Sequence, residues 1–313
     1  MAAQSPVQAT LPLPPGTRHF VVVYQLGKVA STALVSSLSE IPGVVAVQSH
    51  FLGMESFSGI IRLIVDGVFS DYSADHNLGQ LNQNVAIERT ITAVRSGKHP
   101  EVAATILSLS REPLDWFRSA VVQDIDGYRA GLREIAGSPA DASDDEAIVQ
   151  AIPAVCEEIA SLYEESDGVD GFLARDFAER NAWLRQRVGT RHAVLSELFL
   201  LFLRPHSWFD QHFAKYLGVG VPELPTIAPQ VYRGDLGSWA RTYVIRYEDI
   251  GSSIPIVLDD IGIAETFQLT HENVSGEKNL ASAVREGLSA GPLDRLRALS
   301  NASSYARQFG YAA

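Results

Sequence analysis

The chain has 313 residues, enough for one large α/β domain or two smaller ones, and its 46% hydrophobic content can supply a substantial core. With 25 Lys and Arg against 37 Asp and Glu, the formal charge of -12 argues against a broad nucleic-acid or anionic-membrane surface, so any anion must be met by a few placed cations. The lone cysteine, Cys156, excludes an intramolecular disulfide and a thiol cluster for metal, and points to a reducing, cytoplasmic setting.

Residues 1–18 read as a Pro-rich flexible leader without the basic start and apolar run of an export signal, and 19–313 as a single domain. No apolar run reaches the ~18 residues of a membrane span. Val21, Val22, Val23 and Tyr24 form a continuous β-prone run, the pattern of a strand buried on both faces of a parallel sheet. A helix is expected from Ser31, stopped by Ile41-Pro42-Gly43, and a second strand over 44–48 completes a strand-helix-strand unit. Residues 53–98 read as helical with a polar break at DYSADHNLGQLNQN. A third buried strand follows over 104–110, then a helix with Pro113 in its first turn, where a missing N–H is harmless. The run Ala136 to Glu146 has the composition of an exposed loop, helical patterns dominate from Glu146 to Leu217, and RTYVIRYEDI supplies another strand and helix start before a helical end. The expected architecture is a central parallel sheet flanked by helices, with helix-rich insertions.

Gly27 and Lys28 between the first strand and a helix opening at Ser31 and Thr32 form the local arrangement that presents backbone N–H groups, a helix N-terminus and one full charge to a phosphate. The pattern G-x-x-x-x-G-K-[ST] is broken: Val22 stands at its first glycine and Val29 at the magnesium-binding hydroxyl. That is awkward for phosphoryl transfer, where Mg²⁺ offsets charge on the moving group. Sulfuryl transfer needs the ion less, because the migrating group carries less negative charge.

QLGKVASTAL resembles the 5′-phosphosulfate loop of sulfotransferases that use 3′-phosphoadenosine 5′-phosphosulfate (PAPS), particularly a bacterial group described as capsular polysaccharide sulfotransferase-like. LSLSREPLDWFRSAVVQDI is similar to the family's second anchor, a strand ending in Arg and a helix bearing Ser, which places Arg111 and Ser119 on the nucleotide's 3′-phosphate. WFDQHFAKYLGV, YVIRYEDI and SSYARQFGY resemble further family segments, and HENVSGEKNL resembles the closing loop, which makes Lys278 a phosphate ligand. Ala30 stands where the family's loop more often has glycine, a replacement the backbone tolerates at negative φ.

The resemblance implies a P-loop-like three-layer fold and a PAPS-dependent sulfotransferase with no metal. The bisphosphate product would be PAP, and the acceptor a hydroxyl or amine on a small molecule or glycan. Gly27, Lys28, Val29, Ala30, Ser31 and Thr32 would hold the phosphosulfate, Lys28 stabilising the leaving group. His50, just beyond the second strand, matches the family's histidine base, with Glu55, Glu88 or Asp124 in reserve. A P-loop small-molecule kinase and a non-catalytic nucleotide-binding module remain the alternatives. Acceptor and oligomeric state are left open.

Overall fold

The computed structural model describes residues 10–65, 71–139, 143–188, 193–269, 280–288 and 291–312. In chain order the first half runs β1 (His19–Tyr24), α1 (Ser31–Ser39), β2 (Val44–Ser49), α2 (Met54–Val65), α3 (Asp71–Arg95), β3 (Ala103–Ser110), α4 (Pro113–Ala136) and α5 (Asp144–Glu164). Then come α6 (Gly168–Leu173), α7 (Phe177–Val188), α8 (Ala193–Trp208), a π-helical turn Phe209–Ala214 and α9 (Lys215–Leu217). The remainder is β4 (Thr226–Ala228), β5 (Val231–Leu236), β6 (Ala240–Arg246), α10 (Ile250–Asp260), α11 (Ala281–Gly287), α12 (Pro292–Asn301) and α13 (Ser304–Phe309). Among the described residues no helix is long and apolar enough to cross a membrane. The chain divides into two compact units, Met1–Ser110 with Phe209–Glu272, and Arg111–Trp208 with Asn273–Ala313.

The first unit holds a six-stranded sheet in the order β2-β1-β3-β6-β5-β4. Its first four strands are parallel, as their apolar runs predict: Val21 to Tyr24 are all buried, and so are Ala104 to Ser110. The sheet is nevertheless mixed. β5 pairs antiparallel with both β6 and β4, and the expectation of a wholly parallel sheet is corrected there. The reason is connection length: only Gly237, Ser238 and Trp239 separate β5 from β6, and so short a link, with Gly237 at φ 65°, returns the chain antiparallel. The sequence reading did not anticipate β4 and β5, because Tyr232-Arg233-Gly234-Asp235 lacks both alternation and β-branched residues.

The polar run expected to break the helices is helical from Asp71 onward, within α3. Buried Leu81, Asn84, Ile87, Ile91 and Val94 recur every three or four residues, so burial of one stripe carries a helix whose composition is polar.

The second unit is helical. α4 opens with Pro113 at its first turn and Glu112 capping the Asp115 N–H, and ends on Gly137 in the left-handed conformation. α5 begins in a reciprocal Ser143–Glu146 capping box. The core is aromatic: Tyr163 stacks on Phe199 with ring centroids 4.2 Å apart, and Phe117, Phe172 and Phe202 pack edge-on or tilted around them.

Candidate functional site

Parallel register brings the sequence-predicted residues of the first unit together. Tyr24 pairs with Ser49, and the ladder continues one step further, with Gln25 N–H donating to Ser49 O at 3.1 Å. The loop 25–30 and His50 therefore leave neighbouring strands side by side, at the carboxyl edge where open α/β sheets bind ligands. His50 Nδ1 lies 3.0 Å from the Gln25 carbonyl. A carbonyl can only accept, so Nδ1 carries the proton and Nε2 is the ring's basic nitrogen. A Cβ on Gly27 would meet His50 Cε1 at 3.5 Å, an ordinary contact. What favours glycine at position 27 is its φ of 94°.

The loop's backbone alternates in hand. Lys28 has φ 57° and Ala30 φ 54°, with Val29 between them on the negative side and the right-handed α1 starting at Ser31. From Lys28 onward this is the backbone pattern of an anion nest. The expectation that Ala30 keeps a negative φ is thus corrected. A left-handed residue is what joins the loop to α1, and the chain accepts a Cβ there at a cost in strain.

Gly27 N–H donates to the side-chain oxygen of Gln25, which stiffens the turn. Val29 is 1% exposed, its side chain in the core, while Lys28 and Ala30 are half-buried and Thr32 is exposed. Ser31, 8% exposed, is the first helical residue rather than the cap. Ala30 occupies the N-cap with no side-chain hydrogen bond, and the first turn carries no acidic residue. The electropositive end of α1 is consequently not answered by the helix's own side chains, in contrast to α4, α5 and α13.

Arg111 and Ser119 belong to the second unit. Arg111 directly follows β3 and is half-buried, and Ser119 lies half-buried on α4. The Tyr305 hydroxyl accepts the Arg111 N–H at 3.1 Å and donates to the Arg111 carbonyl at 3.0 Å, fixing both backbone groups of one residue. Tyr305 is 6% exposed and sits against His206, Phe309 and Tyr311. Asp115 pairs with Arg118 at 3.5 Å. Lys278 lies outside the described residues.

The reserve carboxylates separate clearly. Glu55 is exposed and paired with Lys215 at 3.3 Å, and Asp124 is exposed on α4. Glu88 alone is set in a polar cluster: Gly53 N–H donates to its Oε1 at 2.6 Å and the Tyr216 hydroxyl to its Oε2 at 3.1 Å. Burial raises the Glu88 pKa, opposed in part by these two hydrogen bonds and by Arg95. Tyr24 meets Tyr216 edge-to-face at 5.6 Å, and burial raises both phenols. Beside them Ser49 Oγ lies 2.8 Å from Asn84 Oδ1. Sequence reasoning named Glu88 but missed Asn84 and Tyr216, whose spacing from their partners leaves no local signal.

The chain matches no family model, no curated protein and no solved structure.

Proposed function

We propose that the chain is a PAPS-dependent sulfotransferase acting in the cytoplasm, with a P-loop-like three-layer core. The observation that carries the reading is the contact between His50 and the loop: an imidazole whose Nδ1 is held by the Gln25 carbonyl stands against the turn that introduces Lys28 and an alternating-hand nest. The proposed base and anion cradle thus stand at the ends of two neighbouring strands, joined by one hydrogen bond. The loop residues 27–32 would hold the 5′-phosphosulfate, and the family resemblance alone assigns the 3′-phosphate to Arg111, Ser119 and Lys278.

In the step itself the acceptor O–H passes its proton to His50 Nε2 while its oxygen forms a bond to sulfur. The bond between sulfur and the bridging oxygen breaks, its electron pair stays on the 5′-phosphate of PAP, and Lys28 with the loop N–H groups offsets that charge. Against the kinase alternative stands Val29, apolar and buried where a magnesium-binding hydroxyl is required.

The test compares thermal stabilisation by PAP, ATP and ADP with and without Mg²⁺, then reads PAP release from PAPS over a panel of hydroxyl acceptors. The expected result is metal-independent stabilisation by PAP, a loss of about 100-fold or more in turnover for Lys28→Ala, and a similar loss for His50→Ala with PAP affinity kept. Stabilisation that needs ATP and Mg²⁺ would favour the kinase, and PAP binding without turnover on any acceptor the regulatory module.

A further inference from the structure

A cavity of about 990 Å³ lies within the first unit. It is lined along α3 by Glu88, Ile91 and Arg95, about two helical turns from first to last, with Tyr216 and Trp239 also in the wall. Glu88 and Arg95 are seven positions apart on the helix, a span of about 10 Å at the α-helical rise. Elsewhere the walls are largely apolar, with Phe57 and Leu224.

Glu88 and Arg95 differ in chemistry. Glu88 is held by Gly53 N–H and the Tyr216 hydroxyl, with Gly53 three residues past His50. Each carboxylate oxygen keeps a second acceptor site, which suits a ligand hydroxyl. The Arg95 guanidinium lies over the Trp239 ring, 5.9 Å from its centroid. Among the described residues Arg95 forms no ion pair. The other carboxylates of the wall are engaged elsewhere: Asp235 with Arg233 at 3.0 Å and Arg241 at 3.8 Å, Glu223 with the Gly220 N–H at 2.6 Å. The Arg95 guanidinium, which also acts on Glu88 electrostatically, offers a planar fork to a ligand carboxylate beside the flat face of the indole.

We propose that this cavity binds an elongated ring compound with a hydroxyl met by Glu88 and an anionic group met by Arg95 beside Trp239. The ligand class rests on the cavity alone and not on the sulfotransferase reading. Arg95 and Trp239 also border a second cavity of about 620 Å³, so the Arg95 side is open to longer molecules.

The test measures calorimetric binding of 4′-hydroxybiphenyl-4-carboxylate and its uncharged carboxamide to the full chain, with PAP affinity measured in parallel. The carboxylate is expected to bind at least about tenfold more tightly than the carboxamide, Arg95→Ala to erase the difference, and Arg95→Lys to keep part of it, all with PAP affinity unchanged. Equal affinity for the two probes, no binding of either, or a preference that survives Arg95→Ala overturns the assignment. Failure of PAP to bind while the Arg95-dependent preference holds overturns the transfer reading and leaves the ligand class supported.

Discussion

Replacing Ala30 by glycine is expected to stabilise the protein, against the usual direction of an alanine-to-glycine change. The backbone at Ala30 has φ 54° and ψ 29°, the left-handed region, where a Cβ costs roughly 1–2 kcal/mol that glycine does not incur. Glycine in turn loses about 0.5–1 kcal/mol more conformational entropy on folding than alanine. The difference is a net gain of about 0.5–1 kcal/mol. Ala33, three residues later, supplies the internal control: it is 4% exposed inside α1, so Ala33→Gly carries the entropy cost and the loss of a buried methyl, about 1–2 kcal/mol of destabilisation. Urea titrations of the two variants and the parent, followed by circular dichroism and by tryptophan fluorescence so that the two units are both reported, measure the differences. Opposite signs for the two substitutions are expected, with PAP affinity of Ala30→Gly retained because the nest keeps its hand. Destabilisation of similar size at both positions would refute the left-handed assignment at Ala30 and with it the alternating geometry of the loop.

Three further outcomes are expected. His206 is buried, its pKa lowered to about 3 by desolvation, and neither ring nitrogen has a hydrogen-bond partner among the described residues. The unfolded chain takes up this proton below its ordinary value while the native chain does not, so stability falls with acidification. Between pH 7 and pH 5 this one group contributes a loss of about 2 kcal/mol, which denaturant titrations of His206→Leu at both pH values should show removed. Glu88 behaves with the opposite sign, because its native pKa is raised by burial. The native state binds that proton more tightly, so its contribution declines as pH climbs from the ordinary carboxylate range through the raised value. Glu88→Gln, which can still accept from Gly53, should flatten that slope in thermal unfolding profiles. Tyr305→Phe strips both hydrogen bonds from the Arg111 backbone, and is expected to cost about 1–3 kcal/mol in stability and to weaken PAP binding, read by calorimetry.

Much of the candidate site could be read locally. The unbroken run Val21–Tyr24 marked a strand buried on both faces, Gly27 marked the turn, and a helix was expected from Ser31, where α1 begins. The position of His50 beside the loop also followed, since two parallel strands in register deliver their next residues to the same edge. The sheet's antiparallel end was hidden by the unpatterned β5, and the start of α3 by a polar composition whose helical stripe only declares itself once Leu81, Asn84 and Ile87 are seen buried.

Periodicity and turn chemistry act between residues a few positions apart, and they were sufficient for the strand-loop-helix that carries Lys28. They hold no information on which distant side chains meet. The Tyr305 hydroxyl reaches Arg111 across 194 positions, and Tyr216 reaches Glu88 across 128. Such pairs arise because a buried polar group must find a partner in the folded chain, wherever the packing of helices and sheet brings one within about 3 Å. The handedness of Ala30 has the same origin. Alanine by itself prefers negative φ, and the joining of β1 to α1 within a packed sheet imposes the other sign.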